Sequence, residues 1–306
     1  MKNPIKNIMK KTALLGLFSA AFAVAGLVQA EEVKQSFKGQ TVNANLEFAD
    51  GKGYGDEFVL LLHGTLTHKG RSTYMDLQNN LAAQGISSLS INLSLGLNDR
   101  QGEYDCAVPH THKHTDALDE VGFWLDWLQQ QGAKHVTLMG HSRGGNQIAW
   151  FATERDRPLV NKAVLWAPAT GKQQSHQDYE KRYGKPVSSV MPQAQQLLKA
   201  GKGDQLMQDV DFIYCEKAQV AAASFVDYYT LKPQFDTPTL LKSAKKPTLV
   251  IMGSDDDVVA DLPAAIEALG ALKNVQTLML DGADHFFMDF YNEDSATAVA
   301  NFIREQ

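Results

Sequence analysis

A buried strand that runs into a glycine-lined turn and out into a helix constrains this chain more than any other feature. His135-Val136-Thr137-Leu138-Met139 reads as a strand, Asn146 to Thr153 begins a helix, and Gly140-His141-Ser142-Arg143-Gly144-Gly145 stands between them. A serine at such a junction is held on a tight, strained turn that lifts its hydroxyl above the sheet. Glycines two before and two after it are needed because the incoming strand and outgoing helix pass very close together. The G-x-S-x-G pattern is weak by itself. Its strand–turn–helix context makes Ser142 a candidate nucleophile and disfavours an exposed serine on a plain glycine turn.

The same alternation fills most of the chain. Glu57-Phe58-Val59-Leu60-Leu61-Leu62-His63 is a continuous apolar run, of the kind that forms strands buried on both faces. Ser72 to Gln84 has helical spacing, Ser87 to Leu93 is strand-like, and Asp116 to Gln131 is an amphipathic helix ended by Gly132. Lys162 to Trp166, Thr248 to Met252 and Val275 to Leu280 read as strands, with helices over Leu262 to Leu272 and Asp294 to Arg304. Ahead of all this, the alternation from Val33 to Phe48 suggests a hairpin or two exposed-face strands. Strands alternating with helices at this spacing predict a mostly parallel α/β sheet with helices on both faces.

One stretch breaks the rhythm. Between Ala167-Pro168 and Lys246-Pro247 no buried strand is evident, and helical patches cover Met191 to Lys199 and Glu216 to Tyr229. A long insertion on a rigid scaffold reads as a lid over a site, here about residues 169–245, in preference to a decorative helical pair.

A serine hydroxyl needs a base, and the base needs a group that orients it. Gly253-Ser254-Asp255-Asp256-Asp257 follows one late strand and Asp281-Gly282-Ala283-Asp284-His285 follows the next. Both loops leave the carboxyl end of a strand, where open α/β sheets build sites. His285 is the expected base. Asp256 is the expected acid, with Asp257 and then Asp255 as alternatives.

Taken together, Gly140-His141-Ser142-Arg143-Gly144-Gly145, His63-Gly64, Gly253-x-x-Asp256 and Gly282-x-x-His285 resemble the α/β-hydrolase superfamily, and the lid position resembles its serine esterase, lipase-like and serine-aminopeptidase-like branches. The likeness runs from about Phe58 to Ile303. It implies the α/β-hydrolase fold, with a Ser142–Asp256–His285 triad. It also implies an oxyanion hole from the backbone N–H groups of Thr65 and Arg143, each such donor being worth roughly 3 kcal/mol in the transition state. His63 would fix the oxyanion loop on the substrate side, and His141 would pack under the elbow. The implied chemistry is acyl transfer without metal or cofactor. Its expected substrate is a small-molecule carboxylic ester, with peptidase or amidase activity second and a non-catalytic binding protein third.

Cys106-Ala107-Val108-Pro109-His110-Thr111-His112-Lys113-His114 is the odd segment. Its histidines suit a metal site, a substrate rim or a plain loop capping the following helix. No fuller metal-ligand set is recognisable elsewhere, so His110 and His112 are assigned to the substrate rim.

Four lysines and no acid occupy Met1 to Lys11, Thr12 to Val28 is uncharged and apolar, and Val28-Gln29-Ala30 offers a small-residue exit. That is the layout of a signal peptide covering residues 1–30, leaving 31–306 as the folded domain, periplasmic or secreted and with no stable membrane anchoring after cleavage. Export would let Cys106 pair with Cys215, the alternative being two buried thiols. The formal net charge of −6, with no basic run after the leader, argues against a nucleic-acid partner.

Overall fold

The structure, a computed structural model, describes residues 30–155 and 157–305. The predicted leader therefore lies outside the described residues, apart from Ala30. The chain opens with a hairpin, β1 (Glu31–Phe37) and β2 (Gln40–Glu47), followed by β3 (Glu57–Leu62), α1 (Ser72–Ala83), β4 (Ser87–Asn92) and α2 (Asp116–Gln131). It continues through β5 (His135–His141), α3 (Arg143–Glu154) and β6 (Val160–Trp166). The insertion holds α4 (His176–Tyr183), α5 (Met191–Lys199), β7 (Leu206–Phe212), β8 (Cys215–Ala221), α6 (Ala222–Tyr229) and α7 (Thr237–Leu241). The chain then closes with β9 (Thr248–Gly253), α8 (Leu262–Glu267), β10 (Val275–Leu280) and α9 (Phe290–Arg304).

Among the described residues the main sheet has the order β1-β2-β4-β3-β5-β6-β9-β10. The pairings that involve β2 are antiparallel and those from β4 to β10 are parallel. Phe58 to Leu62 are fully buried in the sheet's centre, as expected for a strand covered on both faces. From β3 the chain steps to β4 on one side and then returns past β3 to β5. Right-handed crossovers therefore place α1 on the face opposite α2 and α3. The packing of α1 on α9, and of α2 on α3, agrees with that arrangement. The reversal between β3 and β5 opens a crevice at their carboxyl ends, where doubly wound sheets bind ligands.

The insertion corrects the sequence reading in one respect. Glu216 to Tyr229 was expected to be helical, yet the segment is split between β8 and α6, and β7 pairs with β8 as an antiparallel hairpin. Cys215, Ala218 and Val220 are buried while Glu216, Lys217 and Gln219 are exposed, which is nearly a period of two. Alanine-rich composition hid that period, and tertiary pairing overrode helix propensity. Tyr179, Val187, Phe212, Val220, Phe225 and Tyr229 belong to a second apolar cluster of the insertion's own. The first helical patch, Met191–Lys199, forms as expected.

Candidate active site

Ser142 lies between β5 and α3 with φ 56° and ψ −122°, a strained conformation for a residue with a side chain. Surrounding glycines make the turn possible. A side-chain carbon on Gly140 would collide with the Gly144 carbonyl, and one on Gly144 with the His63 carbonyl. The Ser142 N–H donates to the Trp166 carbonyl at 2.9 Å, fastening the elbow to β6.

Ser142 and His285 line one cleft of about 650 Å³, together with Gly64, Thr65, Tyr74 and His141. His285 is buried, and its Nδ1 lies 2.7 Å from Asp256 Oδ2. Asp256 Oδ1 accepts the N–H groups of Val258 and Val259 at 2.9 Å each. Burial pushes the Asp256 carboxyl upward, but the hydrogen bond and charge of His285 and the two backbone donors outweigh it, so the group is held below the ordinary carboxylate range. The three-aspartate ambiguity is thus separated by geometry: Asp256 meets the imidazole, whereas Asp255 and Asp257 are exposed.

Thr65 lines the cleft, and its Oγ1 accepts from Arg143 Nε at 2.9 Å. The Arg143 guanidinium also lies 3.3 Å from His114 Nδ1 and sits over the Tyr228 ring. That side chain ties the loop after β3 to the insertion, a role no sequence pattern announced.

His63 is buried and does not line the cleft. Its Nδ1–H donates to the Gly64 carbonyl at 2.8 Å, and its Nε2 accepts from the Leu93 N–H at 3.1 Å and lies 3.1 Å from Arg100 Nη2. Burial, reinforced by the Arg100 charge, lowers its pKa to about 3, so the ring stays neutral as a fixed strut for the loop.

His110 and His112 are also buried and lie away from the cleft lining. His110 exchanges backbone hydrogen bonds with Gln219 and Ala221, adding to the edge of β8. Its Nδ1 lies 3.2 Å from His112 Nε2, and His112 Nδ1 lies 3.0 Å from the Tyr228 hydroxyl. Burial lowers the His110 pKa to about 4 and holds that of His112 well below the ordinary histidine value. These neutral rings join the loop to the insertion instead of facing the cleft. No cluster of three or more His, Cys, Asp or Glu side chains able to hold a metal ion occurs among the described residues. A disulfide joins Cys106 to Cys215, with Cα atoms 5.4 Å apart.

Several cleft residues were not legible in the sequence. Lys172, Gln173, Asp178, Lys181, Arg182 and Tyr214 come from the insertion, whose path across the sheet no local pattern specifies. Arg71 and Phe286 also line the cleft, with the Arg71 guanidinium 5.1 Å from the Phe286 ring centre.

Comparison with curated proteins gives no match. Among solved structures, Est1E from Butyrivibrio proteoclasticus with ferulic acid bound is similar at 17% identity and a TM-score of 0.62, covering 90% of this chain and 98% of that one. A Pyrococcus furiosus esterase is similar at 15% identity and a TM-score of 0.58, covering 90% and 91%. A Paleococcus ferrophilus monoacylglycerol lipase is similar at 16% identity and a TM-score of 0.57, covering 86% and 98%. At these identities the likeness speaks to fold. The family model described as serine aminopeptidase, S33, matches residues 55–289, and the chain belongs to that family of α/β-hydrolases and is a serine hydrolase.

Proposed function

We propose that the protein is an exported serine hydrolase that cleaves a carboxylic ester through an acyl-enzyme, with Ser142, His285 and Asp256 as its triad. The observation that carries the reading is one cleft lined by a strained-elbow serine and by a histidine whose far nitrogen meets a buried carboxylate. Ser142 Oγ attacks the carbonyl carbon while His285 Nε2 takes its proton, and Asp256 keeps the other imidazole proton on Nδ1. Negative charge on the carbonyl oxygen is met by the N–H groups of Thr65 and Arg143. His285 then protonates the leaving alkoxide. Water, deprotonated by the same ring, attacks the acyl-enzyme and releases the acid.

Ester preference is supported by the named activities of the structural neighbours, one of which holds ferulic acid. The family description favours a second reading, an aminopeptidase. Asp178, Asp257 and Asp261 at the cleft wall offer carboxylates to a substrate ammonium group. Export is supported by the leader-like residues 1–30 and by a disulfide of the kind that oxidising compartments permit.

A fluorophosphonate probe tests the chemistry. Peptide mapping should find the adduct on Ser142, and folded protein that resists the probe would remove the reading. Turnover of acyl esters against aminoacyl arylamides ranks the two substrate classes. N-terminal sequencing of protein from a periplasmic or culture fraction should begin at Glu31.

A further inference from the structure

We propose that Tyr74 and His141 are positioning residues, which hold the oxyanion loop and the base loop in register through a directed chain of three hydrogen bonds beneath Ser142. The inference rests on the triad reading above and adds two side chains to it. Gly64 N–H donates to the Tyr74 hydroxyl at 2.8 Å, Tyr74 Oη lies 2.9 Å from His141 Nδ1, and His141 Nε2 lies 2.8 Å from the His285 carbonyl.

The direction of every bond is determined. A carbonyl only accepts, so His141 carries its proton on Nε2 and donates to His285. Nδ1 is then a lone-pair acceptor, and the Tyr74 hydroxyl must donate to it. The Tyr74 oxygen is left to accept from Gly64. Since the Gly64 carbonyl takes the His63 Nδ1–H, the peptide groups on both sides of Gly64 are held. Space is tight as well: a side-chain carbon on Gly64 would come to 3.3 Å from both His141 Nδ1 and Ser142 Cβ.

Both side chains are buried, at 1% and 2% exposure, where an unmet polar atom is costly. Burial and then the neighbouring His285 charge lower the His141 pKa to about 3, so the chain keeps its polarity across the working pH range. That neutrality matters because the two imidazole centres are 4.8 Å apart, and His285 becomes a cation each time it takes the serine proton. A charged His141 would oppose that step. A neutral one fixes the base's backbone without competing for its proton.

Tyr74→Phe keeps the ring and removes the link. We expect kcat per titrated active site to fall about ten- to a hundredfold with KM within about threefold, since small displacements of reacting groups act on the transition state. Fluorophosphonate labelling of Ser142 should slow in parallel. His141→Gln, whose amide N–H can reach the same carbonyl, should retain several-fold more activity than His141→Leu. A purely structural role would lower the melting temperature and the titrated fraction while leaving kcat per titrated site unchanged; values within twofold of wild type in Tyr74→Phe and His141→Leu would overturn the proposal. A readout independent of turnover is the His141 imidazole in 15N spectra of the unaltered protein. The Nε2-protonated neutral form is expected between pH 5 and 8, and an Nδ1-protonated or charged ring would overturn the chain even if the enzyme is active. Conversely, unaltered protein that shows the expected tautomer but neither labels nor turns over esters would sink the triad reading and leave the hydrogen-bond chain standing.

Discussion

Asp256 divides its carboxylate between two partners: Oδ2 meets His285 Nδ1 at 2.7 Å, while Oδ1 takes the N–H groups of Val258 and Val259. The carboxylate is therefore locked by the turn it belongs to before it orients the imidazole. Asp256→Asn keeps that shape but can present an N–H where an acceptor is needed, selecting the wrong imidazole tautomer. A loss of about 10⁴-fold in kcat is expected. Asp255→Asn, at an exposed neighbour, should stay within about threefold, there being no buried partner to lose. Steady-state ester kinetics on the two variants decide the assignment; equal losses would refute it.

The disulfide between Cys106 and Cys215 spans 109 residues and joins the histidine loop to β8. Closing a loop of that length removes denatured-state entropy worth roughly 4–5 kcal/mol in the chain-entropy model. The Cys106→Ser, Cys215→Ser double variant should melt roughly 10 °C or more lower. The unaltered protein should show a similar drop with reductant. Thermal unfolding with and without reductant checks this, and indifference of both samples would count against a formed bond.

Glu47, at the end of β2, is buried, and burial alone raises its carboxyl pKa to about 7. An acid with a folded pKa above its unfolded value binds more protons folded than unfolded. Its effect is to reduce stability as pH climbs from about 4.5 to about 7, with the full penalty present above that window. The penalty is about 3 kcal/mol at the upper end. Glu47→Gln removes the titration, so the variant should gain on wild type between pH 5 and pH 8. Unfolding free energies at those two pH values measure it, and parallel behaviour would show that the carboxyl is not shifted.

Gly144 should tolerate no side chain, because its Cβ position is filled by the backbone carbonyls of His63 and Leu62. Gly144→Ala is expected to destabilise by about 3 kcal/mol or to prevent folding. Gly53→Ala, with open space around it and no positive φ, should stay within about 0.5 kcal/mol. Denaturant melts of the pair separate a crowded elbow from a general intolerance of alanine.

Strands β3, β4, β5, β6, β9 and β10, the helix α2 from Asp116 to Gln131 and the elbow around Ser142 could all be read directly from residue order. Their signals are local: apolar runs, helical periodicity, and glycines where backbones must touch. His285 and the aspartate run were legible for the same reason, each following a recognisable strand. What residue order could not settle was contact across distance. Asp256 is distinguished from its neighbours by burial against His285, and Tyr74 from an ordinary helix-core tyrosine by the two loops it joins. His110 and His112 turned out to be braces beneath the insertion, because Tyr228 and β8 fold over them. The β7–β8 hairpin likewise exists through pairing and packing that its residue order does not advertise. Period and turn chemistry act over a few residues, whereas burial and hydrogen-bond partners depend on which distant segments converge, and only the folded chain decides that.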